Sequence, residues 1–258
     1  MKLFKNLYTY RELLKTSVQK EIRGKYKGAW LGVLWSLLNP LLMLAVYSII
    51  FPYILKVTGI DNYTMWLFVA LLPWTAFTTT VTQSTFCIIA NGNIVKKVYF
   101  PREIIPISIV TSGIVNYLIT SIVMFVFLLI SGIGFSIYTL LFPIVVIIMY
   151  LVLLAVAFVL SAITVYVRDL EHLVSLALLV LFYATPIVYT MDLLPSNISW
   201  ILNINPMTHI ITAFRDILYY QQLPNLTSLL ILTIISIIGV CLGYRIFKRL
   251  ERNFAEEL

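Results

Sequence analysis

Charge is what this sequence has least of. Of 258 residues, 18 are Lys or Arg and 11 are Asp or Glu, against 61% apolar residues and a mean hydropathy of +0.98. Soluble domains carry about a quarter of their residues as charges, so the shortage excludes an ordinary soluble fold and points to a polytopic membrane protein. Cysteine is almost missing. Cys87 and Cys241 both sit in apolar runs and read as small buried residues, not as a disulfide or a metal pair. Histidine is as scarce, and His172 and His209 fall in segments expected on opposite sides of a membrane. No HExxH, GxSxG or Walker A pattern occurs, so no catalytic set, metal site or bound cofactor is expected. The centres of the apolar runs lack charge too, whereas proton- and ion-coupled carriers place ionisable groups there. Any transport then draws its energy from outside the chain.

What is present is a series of uncharged stretches between cationic islands. Leu3, Leu7, Tyr10, Leu14, Val18 and Ile22 recur every three or four residues, with Lys5, Glu12, Lys15, Gln19 and Arg23 elsewhere around the wheel. That spacing predicts an amphipathic helix over residues 1–27, lying on the cytoplasmic membrane surface. A charged segment this long ahead of the first apolar run is unlike a signal peptide, so the chain from Leu31 onward is expected in the mature protein. No charge separates Lys27 from Lys56, and a crossing takes roughly 20 apolar residues, which predicts the first span. A second run covers Tyr63 to Val95. Between Glu103 and Arg168 the uncharged length suits two helices, with Ser131, Gly132 and Gly134 as the turn. A fifth run extends from Leu173 to about Thr190. From Asp192 to Asn225, Pro195, Pro206 and Pro224 punctuate pieces too short to span, which predicts re-entrant or interfacial half-helices. A last run, Leu226 to Tyr244, ends in Arg245, Lys248, Arg249 and Arg252.

The expected fold is an all-α membrane protein of six transmembrane helices forming one domain over 1–258. Residues 28–190 hold spans one to five, 191–225 the half-helices, 226–247 span six and 248–258 a cytoplasmic tail. Every Lys and Arg except Lys56 and Arg215 falls on the side of the termini, which the positive-inside rule assigns to the cytoplasm. The net charge of +7 gathers at the edges of apolar runs, where lipid headgroups meet it, so a membrane and not nucleic acid is the expected partner.

The order of these segments carries a resemblance. A basic amphipathic helix, then YKGAWLGVLWSLLNPLLMLAVYSIIF, KKVYFPREIIP, VYVRDLEHL, and TPIVYTMDLLP followed by NPMTHIITAFRDILY, is similar over nearly the whole chain to the membrane subunit of ABC-2 type polysaccharide exporters. That family includes the teichoic acid, O-antigen and capsular polysaccharide permeases. The resemblance implies a half-transporter in a bacterial or archaeal plasma membrane. Its partners would be a second copy of itself and two ABC ATPase subunits that hold ATP and Mg, and its substrate a lipid-linked polysaccharide. The chain would not itself be an enzyme.

The resemblance also implies site residues. Asn91 to Glu103 would be the element that couples to the ATPase. There Lys96, Lys97, Arg102 and Glu103 orient the contact, Tyr99 and Phe100 anchor it, and Pro101 sets the bend before span three. A plain positive-inside loop is the alternative. The half-helix region would be an external gate, with Asp192, Arg215 and Asp216 as its polar groups, or simply a cap with a local ion pair. Trp30, Trp35, Asn39, Tyr47, Phe51, Trp74 and Tyr183 are candidates for a path along which a glycan slides, Asn39 standing beside a possible kink at Pro40. Lipid anchoring and packing are the competing roles for the aromatics. Arg168, Asp169 and Glu171 would make a second contact or pair at a helix end. Two other readings stay open: an ABC-2 exporter of a drug or lipid, and a membrane transferase using Asp169, Glu171 and His172.

Overall fold

The computed structural model describes residues 2–26, 34–50, 60–190 and 199–258, and all regular structure among them is helical. Among the described residues four helices are long and apolar enough to cross a membrane: Tyr63–Ala90, Ile104–Ile130, Ile137–Thr164 and Leu226–Asn253. They coincide with the second, third, fourth and sixth apolar runs.

The N-terminal periodicity gives two helices instead of one, α1 (Lys2–Thr9) and α2 (Arg11–Tyr26), which meet at Tyr10. Leu7 and Leu14 of their apolar stripe pack against the core, whereas Tyr8 and Leu13 are exposed. The first apolar run contains α3 (Leu34–Ile49), whose 16 residues extend about 24 Å, short of a hydrocarbon core of about 30 Å. Trp30, Phe51 and Asp192 lie outside the described residues.

Helix α4 (Tyr63–Ala90) is the centre of the bundle, touching α3, α6, α7, α8 and α10. Short α5 (Gly92–Lys97) follows it, and α6 (Ile104–Ile130) begins beyond Pro101. The approach of α4 and α6 depends on Gly113, where a Cβ would stand 2.2 Å from the Thr80 hydroxyl oxygen. The predicted turn follows α6: Gly132 and Gly134 adopt φ of +79° and +73°, a region that Cβ-bearing residues disfavour. The Ser136 N–H donates to the Thr139 hydroxyl at 3.2 Å, and a 3-10 turn, Ile137–Leu141, runs from there into α7 (Phe142–Thr164).

The fifth run differs from expectation. Helix α8 (Leu170–Tyr183) stops after 14 residues, about 21 Å, and does not continue to Thr190. Pro186 accounts for this, because a proline removes a helical donor and biases Thr185 before it away from helix. Short pieces follow as predicted, α9 (Ser199–Ile204) and α10 (Pro206–Leu218). Asn205 caps α10 by accepting from the Met207 N–H at 3.0 Å, and Pro206 occupies the first turn, where no donor is needed. α10 is buried against α4, α7 and α11 (Leu226–Leu250), and the chain ends in α12 (Phe254–Glu257). Helix α11 exposes Leu230, Ile231, Ile234, Ile235, Ile238 and Leu242. Cys241 is exposed beside them, contrary to the expectation of burial, while Cys87 is buried as expected. Hydropathy sees an apolar run but not which of its faces meets lipid.

Candidate functional site

The segment expected to couple to an ATPase divides into two sets. Lys96, Lys97 and Tyr99 stand outward, Tyr99 at 98% exposure, while Val95 is buried and pins α5 to the core. Phe100, Pro101 and Arg102 are half-buried, and Glu103 is fully buried. Glu103 is a hub: its Oε1 accepts from Asn6 Nδ2 at 2.9 Å and Tyr244 Oη at 3.4 Å, and its Oε2 from Lys248 Nζ at 2.7 Å. Lys248 also reaches Glu251 Oε1 at 2.7 Å. Arg102 donates to the Glu251 carbonyl, and its guanidinium lies 5.9 Å from the centre of the Phe254 ring. At the other end of the segment Lys20 Nζ donates to Asn91 Oδ1 at 3.2 Å.

The loop from α4 to α6 is thus fastened to α1, α2 and the end of α11. Sequence reasoning missed Asn6, Lys20, Lys248 and Glu251. The Lys248–Glu251 spacing is visible as an i, i+3 pair, but partners about a hundred residues away leave no local mark. A cleft of about 360 Å³ opens beside this hub, lined by Tyr10, Tyr99, Phe100, Arg102, Lys248 and Arg252 among others.

The proposed path aromatics scatter. Trp74 is buried, its ring centre 5.8 Å from those of Phe77 and Phe182. Tyr183 is exposed and edge-on to Phe182, Trp35 is half exposed on α3, and Asn39 and Tyr47 belong to that same helix. The exposed face of α4 is polar over its middle turns, with Phe86 exposed beyond them. Thr75, Thr78, Thr79, Thr82 and Gln83 recur in an i, i+3, i+4, i+7, i+8 pattern, half-buried or exposed. Thr78 and Thr79 donate to carbonyls one turn back, which makes them tolerable in a membrane helix. Helix α11 by contrast exposes mainly Leu and Ile, so the middle of α4 suits lipid less than α11 does. Sequence spacing alone would have shown this stripe.

Arg215 and Asp216 are adjacent in sequence and separate in role. Arg215 is 5% exposed. Its Nη1 and Nη2 donate to the Pro186 and Ile187 carbonyls at 2.5 and 2.6 Å, and its guanidinium stacks 3.3 Å from the centre of the Trp66 ring. No carboxylate pairs with it among the described residues. Carbonyl dipoles and the aromatic face hold the charge, so Arg215 clamps α10 to α4 and to the turn that ends α8. Asp216 faces elsewhere and accepts from Gln222 Nε2 at 2.8 Å, so the two do not pair with each other. Arg168 and Asp169, just before α8, and His172 in its first turn are exposed and Glu171 beside His172 is half-buried, with no ion pair of these four among the described residues.

Comparison with known proteins extends this picture along the whole chain. Residues 12–219 match the family described as ABC-2 type transporter. The chain is 34% identical over 260 residues to the O-antigen export system permease protein RfbA of Myxococcus xanthus, covering 100% of both. It is 37% identical over 259 residues to an RfbA of Klebsiella pneumoniae, covering 100% of this chain and 99% of that protein.

Proposed function

Since the chain belongs to the ABC-2 type transporter membrane family, we propose that it is the permease half of an ATP-driven exporter of a lipid-linked polysaccharide of the O-antigen kind. The observation that carries this reading is similarity over 100% of this chain to permeases named for O-antigen export.

In this reading the single domain crosses the membrane six times, the four long helices being joined by the apolar runs that contain α3 and α8. Both termini are cytoplasmic, as the distribution of Lys and Arg favours, and α1 with α2 lies along the cytoplasmic interface. Two copies enclose a path, and the Thr and Gln face of α4 supports this by suiting lipid less than the exposed face of α11 does. Trp35 and Tyr183, exposed and aromatic, are wall residues of that path, while Arg215 holds the external half-helix in place. ATP and Mg bind to two separate ATPase subunits, against which Lys96, Lys97 and Tyr99 dock. Their stroke reaches α11 through Glu103 and Lys248.

Co-purification with the ATPase encoded beside the gene tests the reading. A complex that is lost on deleting residues 95–103, in cells that retain their lipid-linked glycan inside when the chain is removed, is the expected result. A chain that binds no ATPase, or whose removal leaves surface glycan unchanged, would overturn it.

A further inference from the structure

Helix α11 changes character along a single face. Ile231, Ile235, Ile238 and Leu242 are each about half exposed and recur at steps of four, three and four residues. Arg245 and Arg249 continue the same stripe at three and four, and Arg252 follows at three in the short 3-10 turn beyond Leu250. The opposite face of α11 is closed against α7, where a Cβ on Gly243 would stand 2.9 Å from the Ala155 carbonyl oxygen. All three arginines are exposed, and none has an ion pair among the described residues. Lys248 differs from them, because Glu103 and Glu251 already engage it. A shallow cavity of about 380 Å³ is lined by Tyr244, Arg245, Lys248, Arg249 and Arg252, and among the described residues no carboxylate lines it.

We propose that this end of α11 is a binding site for an anionic phospholipid, its phosphate on the arginines and its acyl chains along the Ile and Leu stripe. Depth supports the assignment. Counted from Leu226 at 1.5 Å per residue, Arg245 stands about 28 Å and Arg249 about 34 Å along the axis. A hydrocarbon core of about 30 Å with about 6 Å of headgroups on each side puts both at the headgroup layer. Each Cα–Cβ bond of a helix tilts toward its N-terminus, so these side chains lean back toward the bilayer. The guanidinium fork matches phosphate oxygens. A zwitterionic lipid brings a cation of its own to the same place, and a soluble anion gains nothing from the stripe. The positive-inside rule accounts for cations on this side of the membrane. It does not require three of them to stand unpaired on the face that continues a lipid-facing stripe. The site rests on α11 crossing the membrane and not on what the protein exports.

The test is native mass spectrometry of the full chain from detergent micelles, titrated with phosphatidylglycerol or with phosphatidylcholine of the same acyl chains. The first phosphatidylglycerol is expected to bind about tenfold tighter than the first phosphatidylcholine. Arg245→Gln with Arg249→Gln should erase that preference, and Arg249→Gln with Arg252→Gln reads the same face should the first pair not fold. Lys96→Gln with Lys97→Gln removes as much charge elsewhere and should leave the preference intact. Equal binding of the two lipids by the unaltered chain overturns the proposal. So does a preference that survives both arginine variants, or one lost as fully in the lysine variant. Arginine variants that keep the preference but no longer bind the ATPase would assign this face to the motor and overturn the lipid site as well. Lipid titration involves neither ATPase nor glycan, so its outcome is separate from that of the exporter reading.

Discussion

Lys248→Met is the sharpest perturbation available at the Glu103 hub. Glu103 is fully buried, and Lys248 is the cation within salt-bridge distance of it. Removing the lysine leaves a carboxylate in the interior with only Asn6 and Tyr244 as donors among the described residues. Breaking a buried pair from one side costs about 3–5 kcal/mol. The lysine side chain is itself 30% exposed, so solvent screens part of the pair and about 3 kcal/mol is the better figure.

Glu103→Gln should cost less, about 1–1.5 kcal/mol, because the amide oxygen still accepts and Lys248 keeps Glu251 at 2.7 Å. At about 2–4 °C per kcal/mol for a chain of this size, Lys248→Met lowers the melting temperature by about 6–12 °C and Glu103→Gln by about 2–6 °C. The two combined fall short of their sum, since the glutamine no longer leaves a charge stranded. Differential scanning fluorimetry in one detergent, following tryptophan emission, reads all three. Equal shifts for the two single variants, or strict additivity, would refute the hub as described.

Three further outcomes follow from the packing. Gly113→Ala places a Cβ against the Thr80 hydroxyl at 2.2 Å, so it should destabilise by about 1–3 kcal/mol, and Thr80→Ala in the same chain should restore most of the melting temperature. Arg215→Lys keeps the charge but loses the fork to the Pro186 and Ile187 carbonyls; a loss of about 2 kcal/mol is expected by scanning fluorimetry, and an unchanged melting temperature would show that charge alone suffices. Tyr99→Ala should leave the melting temperature of the isolated chain unchanged, Tyr99 being almost fully exposed. Titration of the ATPase against the two chains should show affinity lower by about 2 kcal/mol, the loss typical of an aromatic anchor.

What was legible in the sequence follows distance along the chain. Gly132 and Gly134, which make the expected turn, and Pro206, which opens one of the expected short pieces, are local signals. Pro186 was equally visible, yet an apolar run to Thr190 outweighed it in the hydropathy reading, and α8 proved shorter for that reason. Cys241 was misjudged because lipid and protein interior are both apolar, so hydropathy cannot divide the faces of α11. Glu103 was expected outward among cations and lies inward, for Lys248 is 145 positions away and no local pattern announces it. Arg215 was expected as a polar group of an external gate, with a local ion pair as the alternative, and no ion pair of Arg215 is present among the described residues. Its partners are main-chain carbonyls and a ring, which composition does not report.

The clamp of Arg215 bears on how the protein is made. An arginine held in a bilayer without partners costs about 2.5–3.5 kcal/mol even on the lenient scale of cellular insertion. Trp66, Pro186 and Ile187 all precede Arg215 in the chain, so in synthesis from the N-terminus its whole receptor has emerged before the cation does. Helix α10 can dock as it leaves the ribosome, and the cation need never wait for a group still to be translated. Moving Trp66 or the 184–190 turn to a later position, as a circular permutation would, removes that order while leaving every finished contact intact. Biogenesis, not the melting temperature of the assembled protein, is where such a rearrangement would first be felt.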